Sequence, residues 1–587
     1  MRAAALLALV LALVPSAAPG VLPVEFLHAE AGERGASGGH VALRVGDHAY
    51  HYQRDAEGAL VLVRDAWRDF AFRYRALENR SLRAWPLGLP EDAAQALRTH
   101  LDARFLAGLL ERDRIAALRD DVLLLETLGH PASGPGVAMR GAGFFAAGRG
   151  TATDRPAPDL VRALRARIER ERGSDFLAAK RREAVAALRD LPPDGATNEG
   201  LGEPLSRRYA DAWAAVRALD VALRAPSLRR DAVRALPGST PLAAAERRAL
   251  AARAEALADS LARLVASPRP DWGFAFLLGA ARLAALDASL AGDAFVVLDA
   301  LPGDVARVPV PGSAADAAGH LAWRREQLGA ARALVVARPS DERALATLER
   351  AASRHAVLAA ALRDGSFPVF EEEALPAGRT RLRDLPRPAF AAGSLETELV
   401  RARARLAQAR DRRARRHAYD LVTRNCVTEL FADVDTALAG SEAALAPPAS
   451  PLAFIPFAAA RGVGGRWTSA RPRRLPSLRS DAVERARRDG WLAALGETTA
   501  FTSSVYTPHA DDSLFLFFTD DAGLARPLLG AANLAAGVVG GVGGALWLPF
   551  DGGTALGRGL RGAAASVPEL FFGNVRKGTF PLARPVE

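Results

Sequence analysis

Tyr419-Asp420-Leu421-Val422-Thr423-Arg424-Asn425-Cys426-Val427-Thr428-Glu429-Leu430-Phe431 holds the only cysteine in a chain of 587 residues. Thr423 and Asn425 are both helix-capping residue types, and Val427, Leu430, Phe431, Val434 and Leu438 recur at helical spacing. The pattern predicts a helix that starts at Cys426. Free backbone N–H groups and the positive end of the helix dipole favour a thiolate there. A thiolate in that place is a nucleophile in need of a base. A buried cysteine acting as a small hydrophobe is the competing reading. The choice between the two rests on residues near the start of the chain.

There, Gly39-His40-Val41-Ala42-Leu43-Arg44-Val45-Gly46-Asp47-His48-Ala49-Tyr50-His51-Tyr52-Gln53 alternates over two short runs joined at Gly46-Asp47, a hairpin signal. Val41, Leu43 and Val45 take one face; His40, Ala42 and Arg44 take the other. With a two-residue turn, His51 falls opposite Ala42 and diagonal to His40 on the same face, within side-chain reach. A one-residue slip would bring Tyr52 to that face instead, and Gln53 is the residue directly opposite His40. His51 is therefore the favoured partner of His40, with Tyr52 and Gln53 as alternatives. Two histidines on a solvated polar strand face would look the same in sequence.

Thiol hydrolases need a base against the sulfur and a third polar group to orient the imidazole. Cys426 as nucleophile, His40 as base and His51 as orienter fill those roles. Around them, Arg44 on the His40 face is a candidate for a substrate carboxylate or phosphate, and Thr428 for lining the site. Asn425 is a candidate cap or oxyanion donor, and the backbone N–H of Cys426 is a cheaper donor, being free at a helix start. The remaining histidines form no metal-spaced pair on one element, so neither a metal nor another cofactor is expected.

The chain opens with Met1-Arg2, an apolar run from Ala3 to Val14, and Pro15-Ser16-Ala17-Ala18. This is the pattern of a cleaved export signal over 1–18, too short to span a bilayer. Export to a bacterial periplasm is expected, and one cysteine permits no internal disulfide. Net charge is +10, carried almost wholly by arginine, since Lys180 and Lys577 are the only lysines. No basic run is interleaved with aromatics, so nucleic acid is not an expected partner. Anionic lipid or acidic wall material suits the charge better.

Between these ends lie Ala/Leu/Arg-rich helical patterns at 158–190, 205–222, 240–266, 273–290, 318–336, 341–363 and 393–418, preceded by a helix from Pro90 to about Leu110. Residues 59–77 read as strand-like and mixed material. No fixed-period repeat supports a solenoid. Pro527 to Phe550 carries no charge over 24 residues, enough to cross a bilayer. Its glycines lower helix propensity, so a Gly-rich hairpin or helix pair lying on a membrane, or packed inside the protein, competes with a spanning helix.

The paired motifs carry a resemblance. Gly39-His40-x-Ala42-Leu43-Arg44-Val45, Tyr50-x-Tyr52 and Asn425-Cys426-x-Thr428-x-Leu430 resemble the bacterial Lnb N-terminal periplasmic domain family. More distantly, the order of histidine hairpin before Asn-Cys helix is similar to permuted NlpC/P60 enzymes of the lecithin:retinol acyltransferase type. The second histidine of that pattern stands one residue later, where this chain has Tyr52. The resemblance implies an α+β fold with a small papain-like core split by a long helical insertion. The expected segments are 19–90 for the first half, 91–400 for the insertion, 401–445 for the second half and 446–587 for a C-terminal region. The resemblance does not imply a substrate. The residues taken together lead to the expectation of an exported cell-envelope cysteine hydrolase or transferase acting on an acyl bond through a thioester, with an amide or peptide of wall material the leading substrate and a lipid ester second. A non-catalytic envelope scaffold is the alternative from another class.

Overall fold

The computed structural model describes residues 22–31, 38–146, 158–192, 203–236, 241–300, 307–309, 314–364, 366–368, 376–391, 393–439, 452–468, 470–506, 508, 512–520, 522–570 and 577–578. The expected export signal lies outside them. The chain folds as two compact units, one made of 1–109 and 417–585, the other essentially of 110–416. The fold is α+β and mainly helical, with a six-stranded antiparallel sheet and three two-stranded ones among the described residues.

The first unit opens with β1 (Val24–Ala29), β2 (His40–Val45), β3 (His48–Arg54) and β4 (Leu60–Ala66). Then come α1 (Trp67–Phe72), prolonged by a π-helical turn over Arg73–Leu77, β5 (Leu82–Leu87) and the start of α2 (Glu91–Gly129). The second unit takes the rest of α2 and eight further helices: α3 (Asp159–Arg172), α4 (Phe176–Arg189), α5 (Leu205–Arg224), α6 (Ala244–Leu264), α7 (Trp272–Ala291), α8 (Ala314–Ala337), α9 (Glu342–Asp364) and α10 (Ser394–Arg416). The chain then returns to the first unit with α11 (Cys426–Ala437), α12 (Pro456–Arg466), the three-residue strand Arg473–Leu475, α13 (Leu478–Asp489), α14 (Trp491–Thr498), α15 (Arg526–Asp551) and α16 (Thr554–Glu569).

The sheet of the first unit has six strands, in the order Arg473–Leu475, β5, β1, β2, β3, β4. Between β2 and β3, Leu43 pairs with Tyr50, Arg44 with Ala49 and Val45 with His48. That is the register of a two-residue Gly46-Asp47 turn. Gly46 sits at φ +62°, which the first turn position of a tight hairpin demands and which costs glycine little. Period-2 alternation then sorts the sheet into two faces. On one, Phe26, Val41, Leu43, Tyr50 and Tyr52 pack with α11, α12 and the first turns of α2. On the other, Leu27, Ala29, Ala42 and Ala49 pack under Phe70 and Tyr74. Val427, Leu430 and Val434 of α11 are fully buried in the first of these layers; each such side chain contributes about 1.5–3 kcal/mol.

The second unit has its own core, centred on Leu219, Phe276, Leu283 and Leu348. Helix α7 is long and apolar enough to cross a membrane but is two-thirds buried in that core. It also buries Arg282, whose guanidinium makes two hydrogen bonds to Glu349, at 2.8 and 2.5 Å.

Several expectations are corrected. Trp67–Leu77 is helical, not strand-like, because Phe70 and Tyr74 lie four residues apart and share one helical face over the sheet. Gly173, at φ +98°, divides the pattern at 158–190 into α3 and α4. Helix α2 runs past Leu110 to Gly129, the single interior Gly108 being tolerated within a long run of good helix formers. The chain passes between the units at Leu109–Leu110 and Arg416–His417. Within the C-terminal segment, Arg473–Leu475 extends the sheet of the first unit.

Candidate functional site

Cys426 is the first residue of α11. Its cap is Asn425, whose Oδ1 accepts from Val427 N–H at 2.8 Å and Thr428 N–H at 3.2 Å. Thr428 Oγ1 accepts from Asn425 N–H at 2.8 Å, completing a capping box. Asn425 Nδ2 donates to the carbonyls of Leu421 and Phe454. Ahead of it, Asp420 Oδ1 gathers the N–H groups of Val422 and Thr423 and the Thr423 hydroxyl. The loop is thus held by polar contacts that present a half-buried cysteine at a helix start.

His40 opens β2. The residue before it, Gly39, has φ +90°, and a Cβ there would stand 2.5 Å from Ala29 O and from His28 Nε2. Only glycine brings the chain through this approach and into β2. His40 Nε2 lies 3.0 Å from His51 Nδ1, and His51 Nε2 lies 3.0 Å from Asp65 Oδ2. A carboxylate only accepts, so His51 Nε2 carries a proton; in the singly protonated ring His51 Nδ1 is then an acceptor. In that tautomer His40 Nε2 donates to His51, and His40 Nδ1 keeps the lone pair. His51 is fully buried, with its ring edge against Phe70. His40 stacks on Tyr74, ring centroids 5.6 Å apart and planes 12° from parallel.

His40 and Cys426 line the same cavity, of about 500 Å³. Its wall also includes Gln53, Tyr74 and Arg80, and an apolar stretch Phe454-Ile455-Pro456. Tyr419 and Leu421 line it too and are 40% and 65% exposed, which leaves an apolar lip open to solvent.

Burial raises the Cys426 thiol above its ordinary value of 9.0, although the N–H groups of Val41, Cys426 and Val427 and the charge of Arg80 pull the other way. The expected helix-start effect is present, but desolvation outweighs it, and the resting group is a neutral thiol. Burial also holds His40 well below 6.5, helped by His51, Arg80 and Arg73. For Asp65 burial opposes ionisation, but the hydrogen bond and charge of His51 win and keep its carboxyl low. Burial thus favours a neutral imidazole at His40 and a neutral thiol at Cys426, while Asp65 is held as a carboxylate.

Other expected residues fall elsewhere. Arg44 pairs with Glu25 at 2.8 Å, donates to Gly46 O and lies over the Trp67 ring; it is not among the cavity residues. Tyr52 reaches the cavity wall, but its hydroxyl donates to Asp433 of α11 at 2.6 Å. It fastens that helix to the sheet, on the face opposite His51. Thr428 and Asn425 spend their polar atoms on the cap, so the Asn425 side chain has no donor left for an oxyanion. Sequence reading missed Asp65, Tyr74 and Arg80. Asp65 pairs with Ala49 across β3–β4, two residues from His51; extending the hairpin register to a third strand would have found it. Among the described residues no cluster of three or more His, Cys, Asp or Glu is placed to hold a metal.

Comparisons with protein-family models, curated proteins and solved structures each return no match.

Proposed function

We propose that this chain is an exported cysteine hydrolase or transferase of the cell envelope, built on a permuted papain-like core that the helical unit interrupts. The single observation that carries the reading is the hydrogen-bonded series Asp65–His51–His40 ending in a cavity that Cys426 also lines. Such a series fixes the tautomer of the base and stabilises its cationic form once it takes a proton.

In the proposed reaction His40 Nδ1 accepts the thiol proton as sulfur attacks an acyl carbonyl, and charge moves onto the carbonyl oxygen. The N–H groups of Val427 and Thr428 are spent on Asn425 Oδ1, which leaves Cys426 N–H to stabilise that oxygen. Collapse expels an amine or alcohol, protonated by His40, and leaves a thioester. Water or another acceptor resolves it. Wall amides or peptides are the leading substrates and lipid esters the second.

Envelope placement also draws on α15, whose outer face exposes Leu528, Val539, Leu546, Trp547 and Phe550. These residues suit a lipid surface. Flotation of the full chain with anionic vesicles checks this; a chain that stays at the bottom of the gradient removes the membrane from the proposal.

Incubation with p-nitrophenyl acetate and intact-mass detection of an acetyl adduct tests the chemistry. The adduct should sit on Cys426, vanish in Cys426→Ala and form roughly 10²–10⁴-fold more slowly in His40→Ala. Equal rates in wild type and His40→Ala would leave the scaffold reading in its place.

A further inference from the structure

Three guanidinium groups, those of Arg54, Arg73 and Arg80, line the cavity, against one carboxylate, Glu78. Glu78 is already shared: Arg73 Nε donates to one oxygen at 3.0 Å and Arg80 Nη1 to the other at 2.9 Å. Arg80 Nε donates to Glu30 O at 2.6 Å. That accounts for two of the three nitrogens of Arg80. The third, Nη2, is buried without a hydrogen-bond partner, in a residue only 6% exposed. Its guanidinium lies 4.9 Å over the Tyr74 ring, the same ring on which His40 stacks.

A buried charged donor left unsatisfied is costly, so a partner is expected. A purely structural arginine would need only the contacts to Glu30 and Glu78. Tyr74 and Glu78 hold the group against rotation, which suits a site prepared for a ligand rather than a mobile surface charge.

We infer that Arg80 is a substrate-recognition residue whose Nη2 receives an anionic oxygen. Resting on the proposed thiol chemistry, this defines the substrate class as acyl compounds that carry a carboxylate or phosphate near the reacting carbonyl. The role expected of Arg44 passes to Arg80, from a strand to the turn after α1. Arg80 acts on binding and orientation; proton transfer stays with His40.

Alkylation of Cys426 by iodoacetate and by iodoacetamide tests the assignment. Both reagents form the same S–CH₂ bond with loss of iodide, and only iodoacetate carries a carboxylate. In wild type the iodoacetate rate should saturate with concentration. The iodoacetate-to-iodoacetamide ratio should exceed that of free cysteine in the same buffer by about tenfold or more, the worth of one charge-assisted hydrogen bond. Arg80→Gln should return the ratio to the free-cysteine value, and Arg80→Lys should keep part of it. The iodoacetamide rate of each variant corrects for any change in the thiol or in folding.

Competition on wild type needs no variant and separates the sources. Protection from iodoacetate by sodium acetate assigns a carboxylate, and stronger protection by inorganic phosphate assigns a phosphate. A wild-type ratio equal to that of free cysteine, with no protection by either anion, overturns the inference. So does a preference that survives intact in Arg80→Gln. Failure of the thiol–imidazole reading shows separately, as acylation that ignores His40→Ala.

Discussion

Asp65 is the residue whose loss should be most informative. It is not among the cavity residues, yet it accepts the hydrogen bond that orients His51 and, through it, His40. Asp65→Asn presents an amide that can donate, which lets His51 Nε2 become the acceptor and turns the series around. His40 would then lose its acceptor at His51 Nδ1, and its lone pair would no longer be held at Nδ1. Acylation of Cys426 should fall roughly 10–100-fold, with the folded state retained by circular dichroism. The acid limb of the wild-type rate should also fall below pH 6.5, because burial lowers His40 and keeps it unprotonated into more acidic solution. Direct alkylation should behave oppositely. The buried thiol is raised, so its rate with iodoacetamide should still be climbing above pH 9.0. An acid limb at or above 6.5 would mean that His40 is not the base or is not buried in solution.

At the scale of elements, two helix features make separate predictions. Asn425→Ala removes the cap of α11 and leaves the Val427 and Thr428 N–H groups without their acceptor. Stability should drop by about 0.5–2 kcal/mol, read by chemical denaturation. The acylation rate should fall as well, because the same cap sets the position of Cys426. The second feature is the pair α15 and α16. The glycines of α15 are unfavourable for an isolated helix, yet the helix is continuous. A Cβ on Gly537 or Gly544 would collide with the backbone of α16 at Ala563 or Leu556, and one on Gly559 with that of Gly541. Close helix contact compensates for poor propensity, as small residues allow in tightly packed helix pairs. Gly544→Leu should therefore separate the two helices and lower the melting temperature, whereas Gly543→Leu, with open space around it, should not.

On the scale of the whole molecule, no described residue of the second unit lines the cavity. Its buried Arg282–Glu349 pair offers a way to weaken it alone. Arg282→Gln leaves Glu349 buried and under-compensated, and should cost about 3–5 kcal/mol of stability in that unit. Calorimetry should show this loss while Cys426 alkylation below the transition stays as in wild type. A parallel loss of alkylation would show that the helical unit does more than interrupt the core. Elements that rest on local rules are legible from residue order: the β2–β3 hairpin and its register, from alternation and Gly46-Asp47, and the start of α11, from capping chemistry and apolar spacing. The sequence also marked His40, His51 and Cys426, because residue type and parity on a strand are visible without coordinates. Only the tertiary structure decided that Asp65 closes the histidine series, that Tyr52 serves packing, and that Arg80 rather than Arg44 lines the cavity. It also shows that burial raises the thiol rather than lowering it. Those outcomes depend on burial and on contacts between distant segments, and desolvation can reverse what a helix terminus favours locally.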